Sequence, residues 1–185
     1  MVDELTIVNI VGTGELPADI NYTTVMDDVE LPVVRYDPTI HQGLELRFIE
    51  KGPLITVYNT GKYIIRANSF DLLYETREKL LSLMKDIGII DDEDDEEFNI
   101  NNVVCTGNFQ RELDLENLAP DLTRGEVKYD PKDFAGLQYK PHSLRATILV
   151  FRSGKVVVTG AKSFENAEDA YSDLVDEIED LIMNE

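Results

Sequence analysis

Apolar and polar positions alternate along most of the chain in short runs that are separated by turns. The run FNINNVVCTG at 98–107 predicts a strand, and LDLENLAPDL at 113–122 predicts a short helical stretch around Pro120. Further alternating runs predict strands at 125–130, 136–141 and 145–152. The turn that contains Gly154 leads into KVVVTG, so the last two strands are expected to form a hairpin.

Each half of the chain ends with a segment of helical periodicity. Ser163 is a suitable N-cap for the second of these helices, and Gly88 is a suitable end for the first. The apolar face of the second helix consists of Ala167, Ala170, Tyr171, Leu174, Ile178 and Leu181. The matching face of the first consists of Leu73, Leu80, Leu83, Met84 and Ile87. We expect each of these faces to pack on a sheet.

The chain contains an internal repeat at an offset of 93 residues. INNVVCTG at 100–107 aligns with IVNIVGTG at 7–14, and residues 7–65 share 16 identities in 59 with residues 100–158. One extra residue near 160 then changes the offset to 94. So many matches without a gap indicate a tandem duplication.

Seven consecutive acids, DDEDDEE at 91–97, separate the two repeats. Like charges repel, so this segment is predicted to be a linker, either a solvated spacer or a contact for a basic partner. The predicted organisation is an N-terminal repeat at 1–90, the acidic linker, and a C-terminal repeat at 98–185. Each repeat has the pattern of one strand, a short helical stretch, four strands and a long helix. The predicted fold class is therefore α+β, with two pseudo-symmetric halves that form a curved antiparallel sheet covered by helices on one side.

The composition limits the classes to which the chain can belong. Its 185 residues are 43% apolar, which is enough for a hydrophobic core, and no apolar run reaches the length of a membrane span. The start MVDELTIVNI lacks a basic signal region, and the single cysteine, Cys105, fits a reducing compartment, so we expect a cytoplasmic protein. Two histidines and one cysteine make no convincing metal site. No nucleophile, base and orienting group form a motif, so neither an enzyme nor a cofactor is predicted.

The net charge of -20 argues against a nucleic-acid ligand, because phosphate is bound by Lys and Arg. The distribution of the charge reduces this objection. Residues 128–162 contain 7 bases and 2 acids, whereas residues 164–185 contain 9 acids and no base. The bases therefore belong to the predicted strands, and the acids belong to the linker and the last helix. The remaining repulsion predicts that DNA binding is weak without screening salt or a partner.

Strand alternation assigns one side of each predicted sheet to the helices and leaves the other side open. In the second half the open side carries Leu149, Phe151, Ser153, Lys155, Val157 and Thr159. In the first half it carries Thr56, Tyr58, Thr60, Lys62, Ile64 and Arg66. The opposite side consists of β-branched residues, which are Ile148, Val150, Val156 and Val158 in the second half. From the residues alone, the open side fits a nucleic-acid groove and a protein interface equally well.

Several motifs resemble those of the archaeal TATA-box-binding proteins. These are the paired motifs around Asn9 and Asn102, YDPKDFAGLQY at 129–139, and LVFRSGKVVVTGAKS at 149–163. The resemblance covers residues 5–183 and implies a saddle-shaped molecule whose concave sheet of about ten strands lies in the minor groove of A·T-rich promoter DNA. That family is itself the standard example of minor-groove binding by strands and of kinking by inserted side chains.

The resemblance also implies a role for individual residues. The amides of Asn9 and Asn102 would donate to adenine N3 or thymine O2 at the centre of the site, and an apolar floor would reject the guanine amino group. The floor would consist of Val11, Ile64, Val104, Val157 and Thr159. Phe134 and Phe151 would insert between base pairs, with Leu137 beside them, and Leu44 and Thr60 hold the positions of the first half that match Leu137 and Ser153. The residues expected at backbone phosphates are Arg47, Lys62, Lys140, Arg145, Ser153 and Lys155.

The first half departs from the family pattern at four positions. His41 and Tyr58 occupy the positions of the inserted phenylalanines, Arg66 replaces a threonine, and Gly52 matches Arg145. Because His41 and Tyr58 are polar, we expect a weaker or differently placed kink at this end of the DNA. We also expect Arg66 to enter a narrow minor groove, where the potential is most negative.

The resemblance implies protein partners as well as DNA. Asp130 and Asp133 match or neighbour the acidic turn at which the family recruits transcription factor B, although a merely solvated turn fits them equally well. The expected role is to bind and bend promoter DNA as a monomer, without covalent chemistry, and to recruit transcription factor B and then RNA polymerase. The alternative is a degenerate relative that has lost stable TATA binding and regulates transcription through protein contacts.

Overall fold

The structure of the protein is a computed structural model that describes residues 2–91 and 97–183. These described residues form ten strands and four helices. The first half contains β1 (Thr6–Glu15), α1 (Tyr22–Asp28), β2 (Val33–Arg35), β3 (Leu44–Arg47), β4 (Leu54–Val57), β5 (Lys62–Ala67) and α2 (Phe70–Asp86). The second half contains β6 (Asn99–Asn108), α3 (Leu115–Leu118), β7 (Gly125–Lys128), β8 (Gly136–Pro141), β9 (Thr147–Phe151), β10 (Lys155–Ala161) and α4 (Phe164–Met183). Each half therefore has the order of elements that the sequence predicts.

Within each half the strands pair antiparallel, and the fold is α+β, as predicted. The strand order is β2-β3-β4-β5-β1 in the first half and β6-β10-β9-β8-β7 in the second. The hairpin predicted around Gly154 is formed by β9 and β10, with Val150 opposite Val156. The short helix α3 ends at Leu118 with Ala119 as its C-cap, and Pro120 follows, which has no backbone N–H to continue the helical hydrogen bonds.

By packing, the chain divides into two units whose limits differ from those of the sequence repeat. The N-terminal unit is Asn9–Asn101, and the C-terminal unit combines Met1–Val8 with Asn102–Glu185. The limits lie inside β1 and β6, so the predicted division at 1–90 and 98–185 follows the duplication and not the packing. Most of the predicted acidic linker, residues 92–96, lies outside the described residues.

The helix-facing side of the C-terminal unit forms its core. Ile148, Val150, Val156 and Val158 are fully or almost fully buried, as strand alternation predicts. The predicted face of α4 covers them with Ala167, Ala170, Tyr171, Leu174 and Ile178, all of which are buried. Leu181 is only half-buried. In the N-terminal unit the predicted face of α2 is buried at Leu73, Leu80 and Met84 and half-buried at Leu83 and Ile87.

Polar side chains cap the N-terminal ends of α1, α2 and α4, and the cap of α4 is Ser163, as predicted. The Ser69 hydroxyl accepts from the backbone N–H of Leu72, and the Ser163 hydroxyl accepts from that of Asn166 at 3.1 Å. Asn21 caps α1 by accepting from Thr23. Each cap pairs a helix-end donor that has no partner within the helix.

A β-bulge accounts for the extra residue near position 160. In the N-terminal unit, β1 and β5 pair in continuous register from Ile10 opposite Ala67 onwards. In the C-terminal unit the register of β10 against β6 shifts between Val158 and Ala161. Gly160 lies in this bulge with φ of 82°, a left-handed conformation that favours glycine.

A buried carboxylate links α4 to the loop before β7 and to the sheet. Glu177 is 4% exposed, and its Oε1 atom accepts from the backbone N–H of Thr123 at 2.6 Å and of Arg124 at 3.0 Å. The hydroxyl of Tyr139, which is fully buried, donates to Oε2 at 3.0 Å. Burial disfavours the charged carboxylate, but these hydrogen bonds outweigh it and lower the pKa of Glu177 below 4.5.

None of the helices in residues 2–91 and 97–183 combines the length and the apolar character that crossing a bilayer requires.

Candidate nucleic-acid interface

In the C-terminal unit, the sheet side turned away from α4 carries an apolar strip. We call this side of each unit the open face; it holds every second residue of each strand. Its central members in this unit are Val104, Thr106, Leu149, Val157 and Thr159, all of them half-buried. Methyl groups therefore dominate the middle of the strip. Such a floor has few hydrogen-bonding groups to offer a ligand.

Two phenylalanine rings stand together at one end of this open face. Phe134 and Phe151 contact each other edge to face, with ring centroids 5.9 Å apart, and Phe134 is 39% exposed. Gly136 lies beneath them, because a Cβ atom there would come within 2.7 Å of the Phe134 ring and 3.0 Å of the Phe151 ring. An exposed, mutually supported ring pair is suited to insertion between flat aromatic groups.

Asn102 is held in place by the bulge. Its Oδ1 atom accepts from the backbone N–H of Gly160 at 2.7 Å, and Thr159 lies 3.4 Å from both ends of the amide. Because the carbonyl oxygen of the amide accepts from the backbone, the NH2 group keeps a donor for a ligand. Asn102 is half-buried on the open face, so this donor is accessible there.

Exposed polar and basic residues flank the apolar strip of the C-terminal unit. Those expected at phosphates in this unit are Lys140, Arg145, Ser153 and Lys155, and all are exposed. Lys155 begins β10 opposite Asn108, and Lys140 lies on β8 opposite Glu126 of β7. Cations at the margin of an apolar strip match the arrangement of phosphates on either side of a groove.

The N-terminal unit repeats this plan with more polar residues. Asn9, Val11 and Ile64 are half-buried on its open face, as predicted. Gly43 takes the place of Gly136: a Cβ atom there would come within 2.4 Å of the Thr56 methyl group, and the rings of Tyr58 and His41 lie 3.3 and 3.5 Å from it. The ring positions of the two units therefore correspond in space as well as in sequence.

Arg66 and Thr56 change the floor of the N-terminal unit. Arg66 is exposed opposite Val11, and its Nη1 atom donates to the Thr56 hydroxyl at 3.2 Å. In the C-terminal unit the bulge residues Thr159 and Gly160 occupy this place. A permanent positive charge thus stands where the other unit has a methyl group and a hydroxyl.

The basic residues of the N-terminal unit are less free than their counterparts. Lys62 and Thr60 are exposed, but the guanidinium of Arg47 donates to the carbonyl oxygen of Gly52. Gly52 itself matches Arg145 of the other unit. Arg47 therefore stabilises its own turn, and this unit presents fewer cations at its margin.

Leu44 and Leu137 were predicted to belong to the DNA interface, but the structure places both in the core. Both are fully buried, and they lie opposite the buried residues Val57 and Val150 on the helix-facing side of the sheets. Strand alternation puts them one residue away from the open face, so neither side chain can contact a ligand there. The open-face residues next to them on β3 and β8 are Glu45 and Gln138.

Four further residues of the edge and neighbouring strands lie on the open faces and were not predicted from the sequence. Arg35 on β2 lies opposite Glu45, and Lys128 on β7 lies opposite Gln138, all of them on the open faces. The repeat alignment already pairs Arg35 with Lys128 and Glu45 with Gln138. That signal was insufficient, because alternation over three or four residues does not show which side of a strand is open.

Asp130 and Asp133 are exposed in the turn before Phe134, which fits a contact with a protein partner and a solvated turn equally well. Asp130 also has a structural role: its side chain accepts from the N–H of Lys132 at 3.0 Å, and its carbonyl oxygen accepts from Phe134. Asp37 supports the matching turn of the other unit by accepting from the N–H of Thr39. These turns hold the ring positions at the ends of the open faces.

The thiol of Cys105 is buried and unreactive. It is fully buried, and burial raises the pKa of its thiol to about 11, so it stays protonated at neutral pH. In the part of the chain that the structure describes, no three His, Cys, Asp or Glu residues are grouped so that they could hold a metal ion.

Comparison with known proteins identifies the family. The family model described as "Transcription factor TFIID (or TATA-binding protein, TBP)" matches residues 4–87 and 97–181. The chain belongs to the TATA-binding protein family. The two matched ranges correspond to the two repeats, so both halves carry the family pattern.

Several archaeal TATA-binding proteins are similar over almost their whole length. TATA-box-binding protein C of Halobacterium salinarum is 40% identical over 177 residues, which cover 95% of this chain and 98% of that protein. The TATA-box-binding protein of Pyrobaculum neutrophilum is 35% identical over 94% of this chain and 86% of its own length. The structure of the Methanococcus jannaschii TBP superimposes with a TM-score of 0.78 at 29% identity, over 96% of this chain and 99% of that one. The fold and the family of DNA-binding transcription factors are therefore established together.

Proposed function

We propose that the chain is a general transcription initiation factor that binds A·T-rich promoter DNA through the minor groove, bends it, and recruits transcription factor B and RNA polymerase. The observation that carries the proposal is the open face of the C-terminal unit. It combines an apolar floor, one oriented asparagine donor, an exposed pair of phenylalanines and marginal cations. The minor groove of an A·T pair presents acceptors and no amino group, which this combination fits. Inserted rings would kink the DNA and bring it against more of the sheet.

Membership of the TATA-binding protein family supports this function over the alternative of a regulator that has lost stable DNA binding. The C-terminal unit keeps Asn102, Phe134 and Phe151 on its open face. The N-terminal unit keeps Asn9 and an apolar floor at Val11. Binding and bending require no covalent step, so no catalytic group is proposed.

Base analogues test whether the chain reads the minor groove. An inosine·cytosine pair has the minor-groove pattern of A·T and the major-groove pattern of G·C, because inosine lacks the guanine amino group. We expect gel shifts on an A·T-rich promoter fragment to persist when inosine·cytosine replaces A·T, and to disappear with G·C. The titration is repeated across salt concentrations and with transcription factor B, which should retard the complex further. Equal binding to all three fragments under every condition would contradict the proposal.

Arg66 provides a test confined to the N-terminal unit. We expect Arg66→Thr to reduce the slope of log affinity against log salt by about 0.9, because the variant brings one cation fewer to the DNA and releases fewer counterions. The variant should also lose its preference for A-tract DNA, whose narrow minor groove attracts arginine. Filter binding on A-tract and mixed A·T fragments measures both. If the variant binds the same sequences with an unchanged slope, Arg66 does not enter the groove.

A further inference from the structure

One carboxylate at the margin of the N-terminal open face holds two functional side chains. The Oε2 atom of Glu45 accepts from Arg35, whose Nε atom lies 3.0 Å away and whose Nη2 atom makes a second contact. Its Oε1 atom lies 2.9 Å from Nε2 of His41. Both partners stand where the C-terminal unit has residues of its proposed DNA interface. Glu45 therefore links Arg35, on the edge strand β2, to His41, which matches Phe134 of the other unit.

The hydrogen bond at Nδ1 of His41 shows which atom is the donor between His41 and Glu45. Its Nδ1 atom accepts from the backbone N–H of Gly43 at 3.0 Å, so it carries no proton in this arrangement. The ring proton is then on Nε2 and is donated to Glu45. His41 is thus hydrogen-bonded at both nitrogens, and the protein holds its ring in place.

Glu45 is ionised and cancels the charge of Arg35. The hydrogen bond from His41, followed by the contacts with Arg35, lowers the pKa of Glu45 below 4.5 despite partial burial. The Glu45 side chain is 13% exposed and that of Arg35 is 63% exposed, so the guanidinium reaches solvent while its counter-ion is covered. The charges of Arg35 and Glu45 therefore cancel within this ion pair.

The C-terminal unit has a different charge at the same place. Gln138 replaces Glu45, Lys128 replaces Arg35, and Phe134 replaces His41. Gln138 lies opposite Lys128 on the open face and cannot neutralise it. Phe134 has no nitrogen for a neighbour to bond, and its exposed ring rests on Phe151. The matched cluster therefore carries one net positive charge and a ring that only packing restrains.

We propose that Glu45 attenuates DNA binding by the N-terminal unit. It forms an ion pair with Arg35 on the edge strand β2, and it holds the ring of His41, the counterpart of Phe134, in place. This proposal rests on the proposed function. A phosphate that approaches Arg35 must compete with a carboxylate that is already in place. A base step that approaches His41 must break the bonds to Glu45 and Gly43 before the ring can move.

Glu45→Gln tests the proposal with the residue that the other unit uses. The amide keeps the size of the side chain and can still bond Arg35, but it removes the negative charge. We expect the affinity for an A·T-rich promoter fragment to rise about threefold to tenfold at low salt, and the salt slope to become steeper by about 0.9, as for one added phosphate contact. Fluorescence anisotropy titrations at several salt concentrations measure both, and thermal unfolding verifies that the variant is folded.

Two further variants separate this effect from net charge. Glu78→Gln makes the same change of charge on the exposed side of α2 and should leave the salt slope unchanged. Gln138→Glu places a carboxylate opposite Lys128 and should weaken binding and reduce the slope by a similar amount. If Glu45→Gln and Glu78→Gln give the same slope and affinity, the proposal is wrong while the proposed function stands. If the wild-type chain binds no A·T-rich DNA under any condition, both fail.

Discussion

Glu177→Ala is expected to lower the free energy of unfolding by about 3 kcal/mol, because one buried donor and three partly buried donors lose their acceptor. The carboxylate accepts four hydrogen bonds, from two backbone N–H groups and the hydroxyls of Thr123 and Tyr139. Thr123 and Arg124 are exposed, so water can replace part of what they lose. Tyr139 is fully buried, and its hydroxyl would have no such replacement. For a chain of this length the melting temperature should fall by roughly 6–12 °C.

Asp176→Ala is the matched control, because Asp176 is the exposed neighbour of Glu177 on α4. It removes the same charge from the same helix without removing a buried acceptor, so its effect should stay within about 0.5 kcal/mol. Urea unfolding at neutral pH compares the two variants. Equal losses would mean that Glu177 contributes only its charge, and the hydrogen-bond argument would be wrong.

The contribution of Glu177 also has a defined pH dependence. Its pKa in the folded protein is below 4.5, so the unfolded chain binds this proton more readily than the folded chain does. The stability that the carboxylate adds is fully present above pH 4.5 and decreases as the pH falls through its folded pKa. The difference between the wild type and Glu177→Gln should therefore shrink in acid, and unfolding curves at neutral and acidic pH measure it.

The fold was largely predictable because duplication and alternation reinforce each other. The repeat placed each element twice, and both copies of the strand pattern gave the same buried side, as at Val57 and its counterpart Val150. Even the one-residue change of offset had a structural cause, the bulge at Gly160. The limits of the packing units were not predictable. In sequence, β1 lies in the first repeat and β6 in the second, but each of these strands is divided between the two units.

The side chains that lie on the open face were predictable only in the longer strands. β10 has seven residues, and its alternation assigned Lys155, Val157 and Thr159 correctly to one side. β3 has only four residues, and the resemblance to the family predicted a role for Leu44, which is a core residue, instead of its neighbour Glu45. The cluster of Glu45 with Arg35 and His41 joins two strands and a turn. Only the fold reveals that these three side chains meet.

Replacing both phenylalanines of the C-terminal unit should have the largest effect on DNA binding. Phe134→Ala combined with Phe151→Ala is expected to lower the affinity for an A·T-rich promoter fragment about tenfold to a hundredfold, since stacking on an aromatic side chain contributes about 1–3 kcal/mol per base. The bend should decrease as well, because no ring remains at this end to hold base pairs apart. Anisotropy measures the affinity, and energy transfer between dyes at the two ends of the DNA measures the bend.

The N-terminal unit supplies the matched comparison, His41→Ala combined with Tyr58→Ala. His41 is bonded to Glu45 and Gly43, so its ring is less free to insert than Phe134, which is 39% exposed and held only by packing. We therefore expect a loss of about threefold or less and a nearly unchanged bend, consistent with a smaller stacking contribution. Adding Glu45→Gln to the wild type should not change the bend at the Phe134 end. Equal losses from the two double variants would show that both ends are inserted alike, and the asymmetry inferred from the Glu45 contacts would then have no consequence for the DNA.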